Sequence, residues 1–167
     1  MFTLRGGGPE ALSHAMPGAV LPPEVLAQVI RHLEAAWPQE GCGVILQGRA
    51  GEEGTWRVVP LPNASPTPRV AYAFTLEAWL QVCRDAEARQ ETVACVFHSH
   101  VDTAAVFSAE DRQRAAPDGI PLLPGVSYVV VAIQGGRATS ASSSDWQQGG
   151  FQTVLISSPD FRFENPL

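Results

Sequence analysis

Basic clusters are missing from this chain. Its 167 residues carry 11 lysines and arginines against 17 aspartates and glutamates, a formal charge of −6, with no block of Lys or Arg. That argues against nucleic acid or an anionic membrane as the main partner, since binding either polyanion needs a positive patch. Long apolar runs are missing too: nothing approaches the ~20 residues of a membrane-crossing helix. The opening residues, Met1-Phe2-Thr3-Leu4-Arg5-Gly6-Gly7-Gly8-Pro9, lack the apolar centre of a secretory signal, and a cytoplasmic location is expected. Cysteine is scarce. Cys42, Cys83 and Cys95 are an odd number in segments that read as strand or helix, so reduced, buried thiols are expected rather than a disulfide framework. No internal repeat and no dividing linker is visible. One domain is expected over residues 22–167, after a flexible Gly- and Pro-rich segment over 1–21.

The elements follow from periodicity. Pro22-Pro23 open a helix in which Val25, Leu26, Val29, Ile30, Leu33 and Ala36 recur at helical spacing, and Trp37-Pro38 ends it. A strand is predicted over 41–47, a polar hairpin loop over 48–54 and a returning strand over 56–61. A Pro-rich loop over 63–69 precedes a short strand at 70–74. Thr75 then caps a helix to about residue 90, with Leu76, Trp79, Leu80 and Cys83 on one face. Strands are expected over 93–97 and 126–133, then over 137–144 and 151–156. The Pro/Gly-rich stretch 117–125 and the polar stretch 142–150 read as loops. The order gives an α/β fold, a mixed β-sheet flanked by helices.

The chemistry concentrates at His98-Ser99-His100, Ser108 and Asp111. The two histidines close the apolar strand Val93-Ala94-Cys95-Val96-Phe97. Side chains at i and i+2 of a strand share a face, so both imidazoles can meet at one point. Ser108 N-caps a short helix over 108–116, with Asp111 in its first turn. Two imidazole nitrogens and a carboxylate oxygen are a catalytic zinc set, with a fourth position left for water. Taken alone, Ser-x-x-Asp is also close to a capping box, and that pair by itself reads as a helix start.

His-x-His, seven residues, then Ser-x-x-Asp resembles the signature of the JAMM (MPN+, Mov34/PAD-1) metalloproteases. The run Pro38-Gln39-Glu40-Gly41-Cys42-Gly43 before an apolar strand is similar to the bacterial branch of that family. The resemblance extends from Pro22 onward and implies a cytidine-deaminase-like JAMM/MPN fold. It implies Zn2+ held by His98, His100 and Asp111, with Glu40 as general base. Zinc would act as a Lewis acid and lower the pKa of a bound water from about 15.7 towards about 7. Glu40 would take the proton and later give it to the leaving amine. Ser108 is placed to donate to the oxyanion formed at the amide carbon. Family members commonly carry Pro after the second histidine, where this chain has Val101, so substrate preference is not carried over.

Other side chains near the motif have plainer readings. Ser99 lies on the strand face opposite the histidines and reads as structural. Asp102 is an extra ligand or base, or an exposed loop carboxylate. Cys42, two residues from Glu40, packs or reacts. Glu91 stands at the far end of the strand, and Glu110 points away from Asp111.

The resemblance implies hydrolysis of amide or isopeptide bonds after the Gly-Gly tail of a ubiquitin-like or sulfur-carrier protein. An E1-like enzyme encoded nearby is an expected further partner. Two other functions compete. One is a non-catalytic MPN scaffold, which the complete ligand set disfavours; the other is hydrolysis of a small amide at the same zinc site. Leu4-Arg5-Gly6-Gly7 resembles a ubiquitin-like tail but lies in a glycine-rich stretch where such a match arises by chance.

Overall fold

Helix α1 (Pro23–Ala36) forms where the 3.6-residue pattern puts it. Pro23 occupies its first turn, and Val25, Leu26, Val29, Ile30 and Leu33 are buried along one face. In the computed structural model, which describes residues 21–49 and 55–161, it is followed by strands and helices in the order foreseen, apart from the strand expected at 70–74. These are β1 (Cys42–Gly48), β2 (Trp56–Leu61), α2 (Leu76–Ala88), β3 (Glu91–Val101), α3 (Ala109–Ala115), β4 (Ser127–Gln134), β5 (Arg137–Gln147) and β6 (Gly150–Ile156). The segment 1–20, with its Leu-Arg-Gly-Gly stretch, residues 50–54 of the first hairpin loop, and residues 162–167 lie outside the described residues.

The strands make one six-stranded sheet in the order β2-β1-β3-β4-β5-β6. Only β3 and β4 run parallel; every other neighbour pair is antiparallel. A parallel pair needs a crossover connection, and the segment carrying α3 supplies it. Helix α1 covers one face of the sheet, where it meets Ile45, Cys95, Phe97, Val129, Val131 and Ile133. The other face holds Val44, Leu46, Val96, Tyr128 and Val130 beneath α2 and the α3 segment. Covered on both sides, β4 reads as the continuous apolar run expected of a central strand.

Gly43 marks the tightest point of the sheet. A Cβ there would lie 2.5 Å from Cζ of Phe97 and against the carbonyl oxygen of Val59. Neither can retreat, because one ring is core and the other group is backbone in a ladder. Gly43→Ala is expected to lower stability by about 1–3 kcal/mol, the usual cost of overpacking, read as an earlier urea midpoint at unchanged slope.

Four sequence expectations are corrected. No strand forms over 70–74, because the backbone there is paired elsewhere. Ala73 N–H donates to Asn63 Oδ1, Ala64 N–H donates to the Ala73 carbonyl, and the Ala71 carbonyl accepts from Asn63 Nδ2. The stretch 142–150 is not a loop. Strand β5 runs on to Gln147, and only Gln148-Gly149, both at positive φ, turn the hairpin into β6. Two of its buried serines find partners, Ser142 Oγ donating to the Ala105 carbonyl at 2.8 Å and Ser144 Oγ meeting Thr153 Oγ1 at 2.7 Å, whereas Ser143 Oγ has none among the described residues. On α2 the inward face is Val82 and Ala86 with the half-buried Trp79, whereas Leu76, Leu80 and Cys83 are exposed. Burial as a thiol therefore holds for Cys42 and Cys95 but not Cys83.

Candidate metal centre

The alternation of β3 decides the site. Cys95 and Phe97 face α1, so Val96, His98 and His100 face the opposite side, where α3 lies. The two imidazoles converge, with Nε2 of His98 and Nε2 of His100 3.2 Å apart. Each is oriented differently. Nδ1 of His100 donates to the Ala104 carbonyl at 3.0 Å; a carbonyl only accepts, so the neutral ring turns the lone pair of Nε2 inward. His98 is fully buried, and its Nδ1 has no partner among the described residues. Its ring is held instead by Tyr72, stacked with centroids 4.3 Å apart and planes 24° from parallel.

Helix α3 brings the third group. Ser108 is its N-cap, with a capping box to Asp111 at the third helical position. Ser108 Oγ accepts from Asp111 N–H at 3.0 Å, while Asp111 Oδ2 accepts from the Ser108 N–H at 2.8 Å and its hydroxyl at 2.6 Å. The helix-start reading of Ser-x-x-Asp is therefore correct, and it does not exclude the other one. The same carboxylate faces both histidines, with Oδ1 3.5 Å from His98 Nε2 and Oδ2 3.4 Å from His100 Nε2.

These separations test whether the set fits a metal. Donors on a tetrahedral zinc, with bonds of about 2.0–2.1 Å, stand about 3.3 Å from one another. The two imidazole nitrogens at 3.2 Å match, and each has one carboxylate oxygen of Asp111 at a comparable distance, Oδ1 3.5 Å from His98 and Oδ2 3.4 Å from His100. Among the described residues this is the group of His, Cys, Asp or Glu side chains gathered closely enough to hold a cation. The charge states of His98 and Asp111 suit it. Burial drives His98 below the ordinary imidazole range, towards the neutral ligand form. Burial works against ionised Asp111, but hydrogen bonds from His100, His98 and the Ser108 hydroxyl outweigh it and hold the carboxyl well below its usual range. Burial likewise opposes charge on His100, yet its bonds to Asp111 and Ala104 prevail and raise it.

Glu40 stands beside the set without belonging to it. It lies two residues before the start of β1, and Cys42 pairs with His98 across the β1–β3 ladder. Gly41 is held on both sides by Ser99, the residue between the histidines: its N–H donates to Ser99 Oγ at 2.8 Å, and its carbonyl accepts from Ser99 N–H at 3.0 Å. Ser99 is thus structural, as read from the sequence. Glu40 is 5 % exposed, and among the described residues none donates a hydrogen bond to its carboxylate. Burial pushes its pKa up to about 7, against the opposing pull of His100 and with the push of Asp111. A carboxyl that exchanges a proton near neutrality can serve as a base and then as an acid.

The remaining residues near the motif fall outside the chemistry. Asp102, at positive φ, accepts from Gly135 N–H at 3.0 Å and shapes the turn after β3. Val101, standing where relatives carry proline, continues the ladder opposite Ile133. Glu91 pairs with Arg57, and exposed Glu110 with Arg114. Cys42 is buried, and burial together with the charge of Glu40 pushes its thiol up to about 12, so it packs and does not react.

A cleft of about 320 Å³ opens from Asp111 between α3 and the loop before α2, walled by Tyr72, Phe74, Trp79, Leu123 and Tyr128. Sequence reasoning missed Tyr72, which it assigned to a strand, and Arg114, whose guanidinium donates to the Tyr72 carbonyl at 3.0 Å and ties that loop to α3. It also passed over Asn63, whose only local signal is an asparagine amid prolines, a turn-forming context.

Residues 22–147 match the family model of prokaryotic homologues of the JAB domain. The chain is similar to desampylase of Haloferax volcanii, 30% identical over 145 residues that span 87% of this chain and 86% of that protein. It is also similar to a probable TtuB-protein conjugate cleaving protease of Thermus thermophilus, 32% identical over 136 residues, spanning 80% and 82% respectively. Among solved structures, a Salinibacter ruber protein superposes with a TM-score of 0.56 at 28% identity, covering 87% of this chain and 94% of that one. A Desulfitobacterium hafniense protein superposes with a TM-score of 0.62 at 24% identity, covering 82% and 90%.

Proposed function

This chain belongs to the family of prokaryotic JAB-domain homologues, and on that premise we propose that it is a zinc-dependent protease of ubiquitin-like protein conjugates. It hydrolyses the amide or isopeptide bond after a Gly-Gly tail of a ubiquitin-like or sulfur-carrier protein. The observation that carries this reading is the convergence of His98, His100 and Asp111 closely enough to hold a cation, with the buried Glu40 carboxyl beside them. A scaffold would have no need of the complete set.

His98, His100 and Asp111 would hold the metal, which when bound supplies Lewis-acid chemistry to a water and to the scissile carbonyl. Glu40 receives the proton of the attacking water and passes it to the departing amine. Its elevated pKa keeps both directions of transfer accessible. In this structure the Ser108 hydroxyl donates to Asp111 Oδ2. Standing beside the donor set, the same hydroxyl would donate to the substrate's carbonyl oxygen. Ser108→Ala is expected to keep bound zinc and lose about 10²–10³-fold in kcat, measured alongside metal content. A tail of two glycines brings no Cβ to be accommodated at the centre, and the aromatic cleft that opens from Asp111 lies beside it.

A cytoplasmic location goes with this function, in keeping with three free cysteines, as does an E1-like activating enzyme encoded nearby. The test is a ubiquitin-like protein fused through Gly-Gly to a reporter. Cleavage after the second glycine should stop with a chelator and return with zinc. Equal turnover in the chelator, or turnover of small amides but of no protein fusion, would overturn the reading.

A further inference from the structure

Asn63, in the loop between β2 and α2, spends its whole amide on main chain. Its Nδ2 donates to the Glu40 carbonyl at 2.9 Å and the Ala71 carbonyl at 3.0 Å, with the Pro68 carbonyl at 3.5 Å. Its Oδ1 accepts from Ser65 N–H at 2.9 Å and Ala73 N–H at 3.2 Å. The network fixes which end is which, since the flipped amide would set oxygen against three carbonyls and NH₂ against two N–H groups. A simple turn-forming asparagine needs only the acceptor half, from Oδ1 to the N–H two residues on. The donor half reaches 23 residues back, to Glu40.

Glu40 needs such a tether, because it precedes β1 and no strand ladder holds it. Both of its backbone polar groups end on this loop: its N–H donates to the Pro68 carbonyl at 2.7 Å, and its carbonyl accepts from Asn63. Asn63 also binds Pro68, so one amide governs both ends of the Glu40 residue. On the far side, Gly41 is fixed to Ser99. The Glu40–Gly41 peptide is therefore clamped between the loop and the strand that carries the histidines. We infer that Asn63 is a positioning residue for the proposed reaction, setting the Glu40 carboxylate against the His98–His100–Asp111 centre through the main chain. The inference rests on Glu40 acting as the base.

A double-mutant cycle tests it. Asn63→Asp keeps the shape and the Oδ1 acceptor but faces the Glu40 carbonyl with an oxygen, and uncharged Asn63→Ser controls for the new charge. Each is made alone and with Glu40→Gln; kcat, KM and zinc affinity are measured. Misplacing a reacting group by about 1 Å costs about 100-fold, so each single variant should lose about 30–100-fold in kcat, with KM and zinc affinity within about twofold. In the Glu40→Gln background neither should cost anything further, since the group it positions is already gone. Wild-type kcat in both variants, a full multiplicative loss in the Glu40→Gln background, or weakened zinc binding in both would overturn the positioning role. Failure of both to fold would make Asn63 scaffold for the whole loop and overturn it equally. Full activity of Glu40→Gln alone would instead remove the base itself.

Discussion

Glu40→Gln should retain one zinc per chain and lose about 10²–10⁴-fold in kcat, the range over which positioned acid–base groups contribute. Glutamine has the same shape but neither takes nor returns a proton. Because Glu40 lies outside the donor set, metal content should not change. Full activity with zinc bound would place the proton transfer elsewhere. The same substitution has a second signature, in the stability of the zinc-free protein. An unburied glutamate titrates near 4.5, and burial pushes the folded Glu40 carboxyl up to about 7. Between those values the folded state holds a proton that the unfolded state has released, so wild-type stability falls as pH rises through that window. By pH 8 the cost of burying the charge reaches about 3 kcal/mol. Glutamine has no charge to bury. Urea unfolding should therefore show the two proteins alike near pH 4.5 and the variant more stable at pH 8. Parallel stabilities at both pH values would mean that the folded carboxyl is not held near 7.

Asp111→Ala should abolish cleavage, weaken zinc binding by more than about 100-fold, and destabilise the zinc-free fold by about 1 kcal/mol or more. The two losses have separate origins in one carboxylate. Towards the histidines it is the only negatively charged group of the donor set. Towards Ser108 it accepts two hydrogen bonds that close the capping box of α3. Asp111→Asn should separate them. The amide oxygen still accepts from the Ser108 N–H, so the melting temperature of the zinc-free variant should stay nearer wild type than that of Asp111→Ala. Zinc binding should remain poor, because the neutral side chain no longer balances the cation. Zinc titration beside thermal melts reads both. An alanine variant that binds zinc as wild type would remove Asp111 from the ligand set.

The two experiments probe groups that reach the centre by different routes. Asp111 is delivered by a helix whose start is written locally, in Ser108 and the residues just after it. Glu40 is delivered by contacts between segments: Ser99 lies 58 residues from Gly41, and Asn63 lies 23 from Glu40. The family resemblance identified Glu40, but no pattern near residue 40 says what holds it.

What the sequence by itself determined is whatever depends on neighbours along the chain. The period of α1, the shared face of His98 and His100, the cap at Ser108 and the apolar β4 all follow from spacings of two to four residues. What only the tertiary structure decided is where each backbone and polar group finds its partner. Residues 70–74 have strand-like composition, yet their backbone pairs with Asn63 and Ala64. Ser142 and Ser144 look like loop residues, yet they lie inside the sheet because Ala105 and Thr153 come within reach. On α2 the residues named as one apolar face include Leu76, Leu80 and Cys83, yet the buried face is Val82 and Ala86, because the sheet and the aromatic loop lie on that side. A hydrogen bond is short-ranged and directional, so its formation depends on which distant residue the fold brings within about 3 Å, and local pattern carries no record of that.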